Sequence, residues 1–381
     1  MTSQQPFEIG LFTFGEITAD PATGRPLDPA VRLREFIDLA VLADQAGLDV
    51  LGVGEHHRPD FAIASPPVVL AAVAQATSRI RLTSTVTVLS TADPVKVFED
   101  FTAVDLVSGG RAEIAAGRGA YTESFPLFGH DLVDYDSLFD EKLDLLVQLN
   151  RHEKVTWSGR HRAPLRDAGI YPRPVQEQLP VWVAVGGTPA SVERAGRHGL
   201  PLYLAILGVP ARFAPLAELY RHTAAQHDAD SGSTRVGVTS HFSVEPTSQG
   251  ARETFYPYYS RYIGDNMTSA RGRALPREAF EEWAGPRGAL FAGSPAEVVD
   301  KILGEHELLG HDRFLAQIGL GGLPFAATAQ SIELLATEVL PAVRQALARP
   351  ATTGRNCPRD NRTPRRSPVG VYDDHRPSRR R

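Results

Sequence analysis

The apolar positions of this chain fall into short buried runs that alternate with longer segments of helical period. One such run is Val50-Leu51-Gly52-Val53, and Gly54-Glu55-His56-His57 follows it at once. The segment before it, Pro29–Gly47, sets Val31, Phe36, Leu39, Ala40 and Ala43 at helical spacing and stops at a glycine. Asp28-Pro29 supplies an N-cap and a first-turn proline. Helix, turn, strand and polar cluster in this order form the unit of a (β/α) barrel, whose chemistry sits at the C-terminal mouth of its strands.

The order recurs. Strands are predicted at Phe7–Thr13, Val50–Val53, Ile80–Val86, Arg111–Ala116, Leu179–Val185, Leu200–Leu207, Val236–Val244 and Arg313–Ile318. Between them lie helices at Pro66–Thr77, from Asp93-Pro94 to Val107, at Tyr135–Asn150, from Pro189 to His198, at Pro210–Asp228 and at Ala326–Leu347. Ser294-Pro295-Ala296-Glu297 reads as the capping box of one more. The loop Gly15–Pro29 is polar and suits the rim of a mouth. Arg151–Gln178 reads as an insertion, in hairpin form, and Phe255–Tyr262 is an aromatic-rich segment outside the repeat. Eight strand–helix units predict an α/β protein, a (β/α)8 TIM barrel with insertions over residues 1–348. An open doubly wound sheet stays open, because periodicity does not show closure.

Composition changes this picture little. The chain has 381 residues, 42% hydrophobic and 22% charged, enough for one large core. Its single cysteine, Cys357, excludes an intrachain disulfide and points to the reducing cytoplasm. The start carries no secretory pattern, and no apolar run has bilayer length, so no membrane partner is expected. Charge is uneven. The net −5 includes ten arginines against three aspartates in 349–381, a proline-rich stretch that cannot bury enough surface to offset its ordering entropy. This Arg/Pro-rich tail is expected to be disordered. Tyr372 is its one aromatic, too little for base stacking, so no nucleic acid is expected to bind.

Candidate chemistry gathers at predicted strand ends. Gly186-Gly187-Thr188-Pro189-Ala190-Ser191 opens a helix, and its glycines allow close backbone approach to an anion that the free amides and helix dipole would favour. Arg118, between Gly117 and Gly119, can grip a phosphate bidentately. A plain capped helix and a structural ion pair are the alternatives; two such elements on one rim favour a phosphorylated cofactor or substrate. His56 and His57 are adjacent on an extended segment and point to opposite faces, so no shared metal is expected. One histidine facing inward as donor or general acid, with Glu55 orienting it or capping backbone, fits better; a purely structural knot stays open. Phe12, Phe14, Trp182, Tyr203 and Phe242 read as core, though an apolar mouth would also suit a flat heterocycle.

Glu55-His56-His57, Ser84–Val88 with Thr91-Ala92-Asp93-Pro94-Val95, Ser108–Arg111 leading to Gly117-Arg118-Gly119, Pro180–Thr188 leading to His198–Pro201, and Ala292-Gly293-Ser294-Pro295 together resemble the bacterial luciferase-like flavin-dependent monooxygenases. The resemblance runs from about Phe7 to Val343. It implies a homodimeric barrel that uses reduced FMN (FMNH2) and O2 to oxygenate a small organic substrate. No dinucleotide fingerprint is present, which favours a separate NAD(P)H:flavin reductase as a further partner. Carried over, Arg118, Gly187, Thr188 and Ser191 match phosphate-binding positions, with Gly186 preceding them and Ala120 and Tyr121 following the arginine. His56 matches a histidine implicated in catalysis, and Thr85-Val86 the place of a non-prolyl cis peptide beside the flavin ring. Two departures tell against light emission: Gly117 stands where some luciferases carry a reactive cysteine, and Gly187-Thr188 where they carry a glutamate-serine pair. A deazaflavin-dependent hydride-transfer oxidoreductase of the same superfamily and a non-catalytic flavin-binding protein are the rival readings.

Overall fold

The structure, a computed structural model, describes residues 6–19, 23–227, 234–266 and 272–348. The Arg/Pro-rich tail with Cys357 and Tyr372, and the predicted helix end at Asp228, lie outside the described residues. Eight strands follow the predicted places: β1 Glu8–Thr13, β2 Val50–Val53, β3 Arg81–Ser84, β4 Ala112–Gly117, β5 Val181–Val185, β6 Leu202–Ala205, β7 Val236–Val244 and β8 Arg313–Gln317. Each pairs in parallel with the next, and β8 pairs with β1 through Phe12↔Gln317. The ring is closed. An open sheet is thereby excluded.

Side chains alternate across the ring, as the pleat requires. Phe12, Val50, Ala115, Trp182, Tyr203 and Leu315 fill its interior. The opposite faces, among them Ile9, Leu11, Leu51, Val53, Ile114 and Phe314, pack against the helices. Burying one such aliphatic or aromatic chain stabilises the fold by about 1.5–3 kcal/mol. The helices used here are α1 Pro29–Ala46, α2 Pro66–Ala76, α3 Pro94–Ser108, α4 Tyr135–Arg151, α5 Pro189–His198, α6 Ala214–Gln226, α7 Ser248–Asn266, α8 Arg277–Ala284 and α9 Pro295–Leu309. Asp28 caps α1 by accepting from Ala30 N at 2.8 Å and Val31 N at 3.1 Å, and Asp93 and Ser294 cap α3 and α9 in the same way.

Three segments differ from the periodic pattern. The third strand stops at Ser84, a cis Thr85–Val86 peptide follows, and Thr87–Val88 then pairs with the end of β4. Phe255–Tyr262 lies in α7, which runs through Pro257 and, with α8, closes a second apolar cluster around Phe255, Tyr259 and Phe280. Phe291–Gly293 adds a short strand beside β7, too brief to leave a period in the sequence. The insertion is a hairpin, as its pattern suggested: Lys154–Trp157 pairs antiparallel with Leu165–Gly169. Among the described residues, no helix is long and apolar enough to cross a membrane.

One buried carboxyl gives a stability prediction. Glu305 on α9 is buried, and neither carboxylate oxygen has a hydrogen-bond partner. Burial pushes its carboxyl up to about 8, with neighbouring Lys301 opposing. The folded state therefore holds a proton that the unfolded chain releases near pH 4.5, so this contribution to stability is complete below that pH. It is lost as pH rises towards about 8. Urea unfolding of Glu305→Gln across this range should show a flatter pH dependence than wild type and greater stability at pH 8. Parallel curves for the two proteins would contradict the assignment.

Candidate active site

The loop after β4 carries Arg118 out to the rim, where it meets the turn between β5 and α5. Arg118 Nη2 donates to Thr188 Oγ1 at 3.0 Å, and the Thr188 hydroxyl donates to Ser191 Oγ at 2.9 Å. Arg194 Nη1 reaches the same Ser191 oxygen at 3.4 Å. Thr188 stands at the N-cap position of α5, yet its side chain caps no backbone amide; it is committed to Arg118 and Ser191 instead. Beside them Gly187 has φ +129°, a conformation that favours glycine, and a Cβ on Gly186 or Gly187 would meet nothing within 4 Å. Open space therefore lies beside this turn. Arg118 Nη1 also pairs with Asp136 at 2.7 Å, but that aspartate is 72% exposed. Such a surface pair is worth about 0–1 kcal/mol, so an incoming phosphate can displace it.

The same loop brings Tyr121 to the loop after β2. His56 is buried in an aromatic box with Phe14, Phe61 and Tyr121, at ring distances of 4.5, 4.4 and 4.9 Å. Its backbone is fixed by His56 N donating to Ile63 O at 3.0 Å. Nδ1 lies 3.6 Å from the Glu123 carboxylate, and Nε2 is buried with no partner. Burial is the largest influence on the Glu123 carboxyl and would raise it, but His56, the local backbone and the charge of Arg58 together outweigh it and the net direction is down. A carboxylate at Nδ1 favours a proton on that nitrogen and leaves Nε2 for exchange. The Thr85 hydroxyl, at the cis peptide, is also buried and unpartnered. Ala120, between Arg118 and Tyr121, is exposed.

Glu55 caps local backbone, the second of its two readings, and the histidine it pairs with is His57. Oε1 pairs with His57 Nε2 at 2.9 Å and Oε2 accepts from Val88 N at 2.9 Å. It thus ties the second strand to the segment after the cis peptide, and Glu123, not Glu55, faces His56. His57 turns towards Phe128, away from the box around His56, as neighbours on an extended segment should. Among the described residues, no group of three His, Cys, Asp or Glu could hold a metal ion.

Close packing explains the glycines here. A Cβ on Gly54 would collide with the Phe14 ring, and one on Gly117 would come within 2.5 Å of Val86 Cγ2. Gly117→Cys should destabilise the fold by about 1–3 kcal/mol through overpacking against Val86. Urea unfolding tests this, and unchanged stability would show that Val86 yields freely.

Polar groups that the sequence reading passed over also reach the mouth. Glu16, just past β1, is fully buried; Thr13 Oγ1 donates to it at 3.0 Å and Gln317 at the end of β8 lies within 3.5 Å. Burial pushes its carboxyl up to about 7, against these hydrogen bonds and the charge of Arg32. His241, in β7 beside Gln317, is held by Tyr259 at 2.8 Å, and burial takes it down to about 3, so it is neutral near pH 7. A glutamate five residues after Arg118 was visible in sequence, but only the folded loop sets Glu123 beside His56.

Comparison with known proteins matches this geometry to a family. Residues 7–312 match the model of the luciferase-like monooxygenases. The oxygenase component of the flavin-dependent trigonelline monooxygenase of Acinetobacter baylyi is 25% identical over 355 residues, covering 88% of this chain and 95% of that protein. Among solved structures, the monooxygenase RslO1 of Streptomyces bottropensis superposes with a TM-score of 0.76 at 23% identity, covering 88% of this chain and 99% of its own. An F420-dependent secondary alcohol dehydrogenase, solved with an F420-acetone adduct, superposes at 0.67 with 19% identity, covering 89% and 99%. The last two likenesses establish the shared barrel.

Proposed function

Because the chain belongs to the luciferase-like monooxygenase family, we propose that it is an FMN-dependent monooxygenase that oxygenates a small organic substrate. The observation that carries this reading is the contact between Arg118 and Thr188, which joins two separately predicted phosphate elements at one rim. The residues fit the cofactor in three respects. Arg118, Thr188, Ser191 and the open Gly186-Gly187 turn suit a phosphate, the unpartnered Thr85 hydroxyl and His56 Nε2 suit a polar heterocycle, and Phe14, Phe61 and Tyr121 suit its flat apolar faces. Reduced FMN would supply the electrons that activate O2.

The chain's own part is binding, orientation and dryness. Arg118 and the α5 turn would hold the cofactor's phosphate, and Thr85, Val86, Ala120 and Tyr121 would hold the rest of it. The aromatic box excludes water from His56, and a dry site strengthens each remaining polar contact. His56 exchanges a proton with the substrate through Nε2, oriented by Glu123 at Nδ1. Glu55 acts one step back, as the clamp on His57 and the Val88 amide. A reductase is a fitting partner, since the trigonelline enzyme is named as an oxygenase component. Homodimer formation and a cytoplasmic location belong to the same reading. The test is oxygen uptake by the pure protein with a flavin reductase, NADH and FMN, screened with flat aromatic and heterocyclic substrates. Substrate-dependent uptake with an oxygenated product supports it. Activity only with reduced deazaflavin, and without O2 consumption, would replace it by the hydride-transfer alternative. Flavin binding with no turnover of any kind would favour the non-catalytic one.

A further inference from the structure

A cavity of about 790 Å3 lies at the opposite, N-terminal end of the barrel and takes no part in the chemistry above. Its floor is a charged layer inside the ring. Arg313, fully buried, donates to both oxygens of Glu113 at 2.6 and 3.1 Å and to Glu8 at 2.6 Å. Arg81 pairs with the same Glu113 and Arg235 with the same Glu8, both facing the cavity. Three guanidiniums therefore share two carboxylates. Burial pushes both carboxyls up, and Arg313 together with Arg81 at Glu113 and Arg235 at Glu8 outweighs it, taking Glu113 to about 2, so the acids stay ionised and three guanidiniums face two carboxylates.

The rim adds to that charge. Arg151, at the end of α4, and Arg197, at the end of α5, are exposed and line the cavity. Arg151 makes a long bond, 3.4 Å, to the His198 carbonyl, and Arg197 has no ion-pair partner among the described residues. Between floor and rim, an apolar side of Val147, Leu179 and Leu200 adjoins polar Asn150, Gln176 and Gln178. It also includes Trp182, 1% exposed, whose indole Nε1–H is buried without an acceptor. A buried donor left unmet is costly. Positive charge at two levels, an unmet donor and an apolar wall form a recess shaped for an anion with a carbon body.

We propose that this cavity is a second binding site, for a small organic molecule carrying a pyrophosphate group. The two pairs of guanidiniums, Arg81 with Arg235 at the floor and Arg151 with Arg197 at the rim, suit two linked phosphates, because a guanidinium meets phosphate oxygens bidentately. The carbon body then lies on the apolar wall. This claim stands apart from the flavin reading, since the two sites occupy opposite ends of the barrel.

Calorimetric titration with inorganic pyrophosphate tests it, in an Arg118→Ala background that weakens the phosphate rim at the mouth. That protein should bind one equivalent. Adding Arg151→Ala and Arg197→Ala should weaken binding by roughly tenfold or more, the loss expected for charged hydrogen bonds. Both arginines are exposed, so circular dichroism should be unchanged; Arg197→Gln alone, a milder variant, should move affinity in the same direction. The proposal is overturned if the Arg118→Ala protein takes up no pyrophosphate, or if its affinity ignores the rim substitutions.

Discussion

His56→Ala is expected to lower substrate oxygenation by roughly two to four orders of magnitude, the range typical of a lost acid or base group. Reduced FMN should still bind, because the phosphate grip lies elsewhere, on Arg118, Thr188 and Ser191. The physical reason is the unpartnered Nε2. A buried imidazole nitrogen with no hydrogen bond, walled by Phe14, Phe61 and Tyr121, is costly to keep unless a ligand meets it. Product formation and anaerobic flavin titration, measured on the same preparation, separate the two effects. Glu123→Gln should act through the histidine, with a smaller loss and a displaced pH–rate profile. Equal losses of flavin binding and turnover in His56→Ala would make the residue a packing element rather than a proton carrier.

Arg118→Ala should weaken reduced FMN binding by roughly 10- to 100-fold, the equivalent of one or two charge-assisted hydrogen bonds. Arg118→Lys should recover only part of this, since an ammonium keeps the charge but loses the planar fork that now spans Asp136 and Thr188. Thr188→Val should fall between them, because it removes the hydroxyl that connects Arg118 to Ser191. Fluorescence titration at fixed salt reads all three, and raising ionic strength should narrow the differences. An Arg118→Ala protein that holds FMN as tightly as wild type would assign the arginine to its Asp136 and Tyr135 contacts instead.

The barrel was legible because several strands end in an abrupt change of polarity. Val53 gives way to Gly54-Glu55-His56-His57, and Val185 to Gly186-Gly187-Thr188, each preceding a helix that starts with proline or a cap. Closure was not legible, since Phe12↔Gln317 is a pairing between residues about three hundred positions apart and leaves no local pattern. The rim was legible as two halves, and the fold brought them to 3.0 Å. What escaped were partners fixed by loops. Glu123 and Glu16 sit in stretches with no period, so nothing in the sequence says that one faces His56 or that the other is buried between Thr13 and Gln317. Arg313 was read only as the first residue of a strand; that it faces inward, onto Glu8 and Glu113, follows from the barrel's pleat.

The phosphate grip is tested most directly by anaerobic titration of wild-type protein with reduced FMN, reduced riboflavin and reduced F420 side by side. FMN should bind about tenfold or more tighter than riboflavin, which lacks the phosphate, and tighter than F420, with the first difference disappearing in Arg118→Ala. Equal affinity for FMN and riboflavin, or a clear preference for F420, would contradict the account.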